Sequence, residues 1–372
     1  MKLLIASGGG GHFAAGLAVI EELPKDWEVL VIGRKYAFEA DKTPSLESIT
    51  SAKLGINFKS ITTGRLQRNL SPESFNIFLK MPIGFFQAVK IIKDFKPDII
   101  LSTGGYVSIP VGVAAKTLGV PIFVHEQTFG GGLANKIVGK FAQKIFISWE
   151  ESKKYFPAEK VILTGNPIKK FSPSAKASAD KQISNEKLPV IYVTGGSGGA
   201  HAINVLIEGC LEKLLEKYVV IHQTGAAKLY GDFDRLAQNK ESLSTDLQKR
   251  YILAKFIDSH DVYAILKKAD LVVTRSGINT VTELLYFGKP ALFIPLPHGQ
   301  RGEQLTNAAF VKNLGLSEIA NQDELTPDGL YSQIDTMLKS IDLYQKNSEA
   351  GKKLVHLDAA QKIISLLKDV NR

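Results

Sequence analysis

Short, continuous apolar runs punctuate the first half of the chain at 3–7, 27–33, 98–102, 121–125 and 144–148, with helix-length segments between most of them. These runs do not alternate between polar and apolar residues, as expected of strands buried on both faces of a parallel sheet. The second half repeats the scheme at 190–194, 219–223, 252–256, 271–274 and 291–295, with helical patterns over 201–216, 278–287 and 303–313. The pattern predicts two doubly wound α/β domains. Length agrees, because 372 residues exceed what one core usually organises. The boundary is expected near Thr164-Gly165-Asn166-Pro167, giving domains over 1–164 and 165–357. The Ser-, Ala- and Lys-rich stretch 172–187 reads as a mobile loop, and 358–372 as a helix returning to the first domain.

Composition narrows the class. A hydrophobic fraction of 44% with 22% charged residues is that of a folded protein and argues against disorder. The single Cys210 forms no intrachain disulfide and belongs to no cysteine zinc cluster. The apolar start at Met1 meets a glycine cluster too early for a signal peptide, and no uninterrupted run approaches the roughly 20 residues of a spanning helix. A cytosolic compartment is the expectation. The net charge is +9, and most of the excess lies in residues 1–164, where 20 Lys and Arg face 14 Asp and Glu. That bias suits nucleic acid, anionic headgroups or phosphorylated ligands, and equally suits plain solubility. Residues 75–86 are unusually apolar for a segment with Pro and Gly, and Arg65, Arg68, Lys80, Lys90, Lys93 and Lys96 flank them. An apolar patch with a cationic rim fits an interfacial membrane contact through Phe75, Phe78, Leu79, Phe85 and Phe86. A buried helix with its lysines in solvent fits as well.

Each half opens with a strand, a glycine-rich turn and a helix: Ser7-Gly8-Gly9-Gly10-Gly11-His12 in the first, Thr194-Gly195-Gly196-Ser197-Gly198-Gly199 in the second. Glycines let backbone approach a ligand, and a helix N-terminus offers N–H groups to an anion. The dinucleotide fingerprint can be laid on Gly9, Gly11 and Ala14, but the second strand ends in Arg34 where NAD needs an acidic residue. Arg34 would suit a 2′-phosphate instead. A third turn, Thr274-Arg275-Ser276-Gly277, leads into Ile278-Asn279-Thr280-Val281-Thr282-Glu283, where Glu283 is placed to accept from a ligand's diol. Ser276 or Asn279 acting only as a helix cap is the competing explanation. The polar loop 295–304 also sits at a strand's C-terminal end, where open α/β sheets bind ligands. Together these segments suggest a nucleotide-diphosphate site in the second half. His12, at the exit of the first glycine loop, is the candidate base, with the helix dipole keeping it neutral. His125-Glu126-Gln127 ends another strand on the same side. The histidines show no metal-ligand spacing, and neither a metal nor a cofactor is expected.

Read in order, these segments resemble the MurG family, the UDP-GlcNAc transferases that make the disaccharide lipid precursor of peptidoglycan. The resemblance runs along nearly the whole chain. It rests on 8–12, Gly104-Gly105-Tyr106-Val107-Ser108, 125–127, Gly132-Leu133-Ala134-Asn135-Lys136 and 165–167. In the second half it rests on 195–197, Phe256-Ile257-Asp258, 275–277, and Gln304 with Asn307-Ala308. It implies a GT-B fold, two Rossmann-like domains facing a cleft, with the acceptor on the first and UDP-GlcNAc on the second. UDP-GlcNAc would be held by Ser197, the Ile257 backbone, Ile278, Asn279, Thr280, Val281, Thr282, Glu283 and Gln304, with Gly9, Gly10, Gly11, Thr128 and Lys169 contributing. The lipid-linked MurNAc-pentapeptide would meet Gly10, Gly11, His12, Tyr106, Glu126 and Asn135. The implied place is the cytoplasmic face of the bacterial membrane. Anionic lipid and other cell-wall enzymes are the implied partners, and nucleic acid is not. The chain departs from the family's usual residues at Gly9 (Thr), Thr128 (Asn), Lys169 (Arg), Gly198 (Gln) and Glu303 (Gln). A related transferase with another lipid acceptor, a UDP-GlcNAc epimerase and an inactive membrane scaffold remain alternatives.

Overall fold

The fold is that of a computed structural model describing residues 1–36, 44–63, 72–169, 188–196, 198–225, 230–297 and 302–369, without the side chains of 72–80, 259 and 260. The chain divides into two compact units, Met1–Lys169 with His356–Arg372, and Lys170–Val355. The expected loop 172–187 lies outside the described residues.

The first unit holds β1 (Lys2–Gly8), β2 (Glu28–Gly33), β3 (Asn57–Ser60), β4 (Ile99–Gly105), β5 (Ile122–Glu126), β6 (Ile145–Ile147) and β7 (Val161–Leu163). They form one parallel sheet in the order β3-β2-β1-β4-β5-β6-β7. The second unit holds β8 (Val190–Thr194), β9 (Val219–Gln223), β10 (Tyr251–Ala254), β11 (Leu271–Thr274), β12 (Ala291–Phe293) and β13 (Ser317–Ile319), ordered β10-β9-β8-β11-β12-β13. Both sheets reverse their strand order beside the first strand of the unit, so the turns after β1 and β4, and after β8 and β11, flank the position where such sheets bind ligands.

The core follows the strand period. Leu4 and Ala6 of β1 pack on one face with Leu30, Ile100, Val111 and Ile92. Leu3 and Ile5 face the other way, against Phe13, Ile99, Phe123 and Phe146. The second face is completed by Ala360, Ile363, Ile364 and Leu367 of the C-terminal helix Ala359–Lys368. Helices on both faces explain why the inner strands lack polar alternation. The three strands absent from the sequence pattern, β3, β7 and β13, are all edge strands. β3 and β13 are largely polar and half-buried or exposed, and β7 is a run of only three half-buried apolar residues. The edge strand β10 is likewise displaced from the expected 252–256, leaving Phe256 outside it and 57% exposed.

The apolar segment around residue 80 is helical, within Pro72–Phe95. Phe75, Phe78 and Leu79 have side chains outside the described residues. Phe85 departs from expectation: it packs against the core of the first unit. Its ring meets Phe86 edge-on at 5.3 Å, and Phe86 and Ile83 are the members of the pair of turns that point outward. Lys90 and Lys93 on the same helix are exposed. Among the described residues no helix is long and apolar enough to cross a membrane.

Candidate active site

In the first unit the turn after β1 is shaped by close backbone approach. A Cβ at Gly8 would come within 2.7 Å of the Tyr106 nitrogen, and Gly105 at φ 80° lies directly on Gly8. The register of β1 against β4 shifts at this point, between Ala6 and Ser7. Gly9, at φ 123°, takes a conformation that L side chains rarely adopt, and helix Gly10–Glu21 starts immediately after it. His12 is therefore the third residue of that helix, within its first turn rather than beyond the loop.

The half-buried His12 has its Nδ1 3.1 Å from the Thr103 carbonyl. A carbonyl can only accept, so Nδ1 carries the proton and Nε2 keeps the lone pair. The Gln127 amide lies 3.3 Å from the same Nδ1. Amide oxygen and nitrogen exchange by a half-turn. With oxygen inward, Gln127 gives Nδ1–H a second acceptor and uses an Oε1 that otherwise has no partner. The His12 pKa is lowered, mainly by desolvation. Glu126 and the Thr103 hydrogen bond oppose the shift, and Arg34 adds to it. Burial is the leading cause that favours the neutral imidazole.

His125, the other histidine on this side, is a structural group. It is 1% exposed, its Nε2 lies 3.4 Å from the Gly165 carbonyl and 3.2 Å from Ser148 Oγ, and burial pushes its pKa down to about 4. Glu126 also turns inward. Its Oε1 accepts from the Thr128 N–H at 2.8 Å and hydroxyl at 2.7 Å, and its Oε2 from the Gly132 N–H at 2.7 Å and Asn135 Nδ2 at 3.0 Å. Four donors saturate the carboxylate, so Glu126, Thr128 and Asn135 brace the 126–135 turn from inside. Tyr106 is half-buried beside Gly8, and Lys169 forms an ion pair with Glu21 at 3.1 Å.

In the second unit, Gln223 at the end of β9 is the clasp. Its Nε2 donates to the Gly196 carbonyl at 3.1 Å, while its Oε1 accepts from the Ile257 N–H at 3.2 Å. One buried amide thus ties the glycine turn to the turn after β10, and leaves the Ile257 carbonyl as that residue's outward group. Ser197 lies outside the described residues. Helix Ile278–Phe287 begins at Gly277 without a side-chain cap. Ser276 is drawn elsewhere: its hydroxyl donates to the Gln304 carbonyl at 2.7 Å, and Asn307 Nδ2 donates to the Ser276 carbonyl at 2.9 Å. The first turn, Ile278, Asn279 and Thr280, directs N–H groups out of the helix end. Val281 and Thr282 do not share this role. Both are buried, the Val281 N–H donates to the Gly277 carbonyl at 2.9 Å, and the Thr282 hydroxyl donates to the Ile278 carbonyl at 2.8 Å. Glu283 is half-buried, and desolvation raises its pKa to about 7. Gln304 Oε1 accepts from the Leu296 N–H at 2.9 Å. Among the described residues, no three His, Cys, Asp or Glu side chains gather as a metal site.

Residues 3–147 match the glycosyltransferase family 28 N-terminal domain and residues 190–363 the family 28 C-terminal domain. The chain is 36% identical to the UDP-N-acetylglucosamine–N-acetylmuramyl-(pentapeptide) pyrophosphoryl-undecaprenol N-acetylglucosamine transferase of Geobacter metallireducens, over 98% of this chain and 97% of the relative. It is 32% identical to the transferase of the same name from Pediococcus pentosaceus, over the full length of both. The crystal structure of Acinetobacter baumannii MurG superposes with a TM-score of 0.72 at 25% identity, covering 99% of this chain and 100% of that one. The chain belongs to the MurG family. Its two sheets and their helices are the GT-B fold. Solved structures below 25% identity share that fold alone, among them UDP-GlcNAc 2-epimerase from Neisseria meningitidis, with a TM-score of 0.63 at 18% identity and coverage of 99% of this chain and 100% of that one.

Three contributors to this MurG-family site carried no role in the sequence reading. Thr103 acts through a backbone carbonyl, which leaves no mark on residue type. Gln127 and Gln223 had a signal: each is a glutamine closing or following an apolar strand run, 4% exposed in both cases, where an unpartnered amide is costly.

Proposed function

We propose that the protein transfers GlcNAc from UDP-GlcNAc to the 4-hydroxyl of a polyprenyl-diphosphate-linked MurNAc-pentapeptide, with inversion and independently of metal. The observation that carries the reading is His12. Its Nδ1–H is committed to Thr103, and its neutral Nε2 stands at a glycine turn and helix N-terminus suited to a diphosphate. Nε2 takes the hydroxyl proton as the oxygen attacks C1 of GlcNAc. The C1–O bond to UDP breaks, and its electron pair leaves on the β-phosphate oxygen.

In this reading the acceptor diphosphate lies over Gly9, Gly10 and Gly11, beside Tyr106, with Glu126, Thr128 and Asn135 shaping the turn and Lys169 near its rim. The second unit takes the donor: the Ile257 carbonyl meets the base, Glu283 the ribose diol, and Gln304 the sugar. Ser197 with the Ile278–Thr280 N–H groups takes the charge that develops on the leaving diphosphate. Phe86 and Ile83, with Lys90 and Lys93 nearby, fit a peripheral contact with an anionic membrane at the cytoplasmic face.

The test is transfer of labelled GlcNAc from UDP-GlcNAc to a short-chain lipid-linked MurNAc-pentapeptide, with and without EDTA. Label entering the lipid fraction at an unchanged rate in EDTA is the expected result. UDP-GlcNAc binding without transfer would overturn the acceptor assignment, and loss of transfer in EDTA would overturn the metal-independent step.

A further inference from the structure

The first glycine turn has a cation beside it that the reaction as described does not use. Arg34 follows β2 immediately, and its backbone is pinned: its N–H donates to Glu47 Oε1 at 3.4 Å and its carbonyl accepts from Ser45 Oγ at 2.5 Å. The guanidinium has no such anchor. Among the described residues no hydrogen bond or ion pair engages it, and Nε is buried without a partner. A buried, unpaired donor of this kind is costly unless a ligand completes it.

The guanidinium reaches toward the turn. Nη2 lies 3.7 Å from where a Cβ at Gly9 would stand, and a Cβ at Gly11 would meet nothing within 4 Å. Gly9 is one of the positions at which this chain departs from the family resemblance, having a glycine in place of a hydroxyl-bearing residue. The turn itself therefore supplies no side chain to an anion at that point, and Arg34 is the polar side chain closest to it.

We infer that Arg34 binds the diphosphate of the lipid-linked acceptor at the first glycine turn, making there the contact that Gly9 cannot. A planar guanidinium offers paired donors to phosphate oxygens, next to N–H groups of the helix start. The surroundings favour the acceptor over the nucleotide. Leu46 reaches Gly10, with Cδ2 3.0 Å from where its Cβ would be, and Leu46 and Ile49 are 40% and 52% exposed one turn apart on helix Leu46–Lys53. An exposed apolar ledge beside a phosphate-binding cation suits a diphosphate that carries a hydrocarbon chain. This inference rests on the transfer reaction proposed above.

The test uses the full chain with Arg34→Gln and Arg34→Lys. Arg34→Gln is expected to raise the acceptor KM by about tenfold or more, as for loss of a charge-assisted contact, and to leave the UDP-GlcNAc KM unchanged. Arg34→Lys restores part of the loss, because charge remains while the fork is gone. In Arg34→Gln the acid limb of kcat/KM also moves to higher pH, since the His12 ring keeps its proton longer once a neighbouring cation is removed, while Glu126 is untouched. An unchanged acceptor KM, or a rise in the UDP-GlcNAc KM instead, overturns the inference. Equal losses in both KM values with a lowered Tm also overturn it, by showing a structural role. Calorimetry with farnesyl diphosphate supplies a readout without turnover. Binding weakened in Arg34→Gln supports the inference even if the wild-type chain transfers no sugar, a result that would sink the transfer reading alone.

Discussion

At the ends of β1 and β8 the chain makes the same strand–glycine–helix turn twice and surrounds it with different chemistry. The first turn is ringed by ionic and ionisable side chains: His12 in the first turn of the helix, Arg34 beside Gly9, and Glu126 behind them, saturated by four donors. The second turn is held by the neutral amide of Gln223, which joins Gly196 to Ile257, and by Asn204, whose Nδ2 donates to the Thr224 carbonyl at 3.0 Å and to Asp232 at 2.8 Å, with the Asp232 carboxylate also engaged by His201 and Arg235. In the proposed reaction one turn moves a proton and the other keeps a fixed shape around a diphosphate. The scaffold common to both supplies anion affinity, and the side chains behind each loop decide what is done with it.

The sharpest way to break this contrast is to remove the titrating group. His12→Ala is expected to lower kcat by about 10²- to 10⁴-fold with little change in the UDP-GlcNAc KM, measured in steady-state transfer assays. The base works deprotonated, and burial lowers its pKa from 6.5. The kcat/KM profile should therefore be level through neutral pH and fall only at pH values below 6.5. An acid limb lying above that value would show that the neutral ring is not what the turn provides.

A smaller effect tests the neutral side. Gln223→Ala frees the Gly196 carbonyl and the Ile257 N–H together, and should raise the UDP-GlcNAc KM by about tenfold with the acceptor KM preserved. An equal change in both constants would mean that the two turns are not separate in function. The smallest expected effect concerns Glu283, whose pKa burial raises to about 7. In the proposed donor site its carboxylate form accepts the diol protons. UDP-GlcNAc binding, followed by calorimetry, should tighten a few-fold as pH rises from about 6 to 8, and Glu283→Gln should flatten that rise. A pH-independent wild type would place the diol elsewhere.

Much of this arrangement is legible from residue order. Inner strands such as 190–194 announce themselves because burial on both faces demands continuous apolar residues, whereas β3 and β13 do not, because an edge strand is half in solvent, and β7 is apolar but only three residues long. His12 stands out as a histidine at a glycine turn. Its tautomer does not, because the acceptor that selects it is the backbone oxygen of Thr103, 91 residues away. Likewise the hydrogen bonds of Thr128 and Asn135 to Glu126, which brace a turn, are not legible in sequence. Phe85 and Phe86 are adjacent and chemically identical, yet one packs inward and the other is 68% exposed.

The sequence by itself determined the repeated α/β plan, the two glycine turns and the histidine beside the first, because local apolar periodicity and glycine's freedom of φ act over a few residues. Tertiary structure alone decided which histidine is half-buried with its Nδ1 held by a carbonyl and which is fully enclosed, which carboxylate is saturated, and which guanidinium nitrogen is left without a partner among the described residues. Those properties depend on desolvation and on donors contributed by residues distant in the chain.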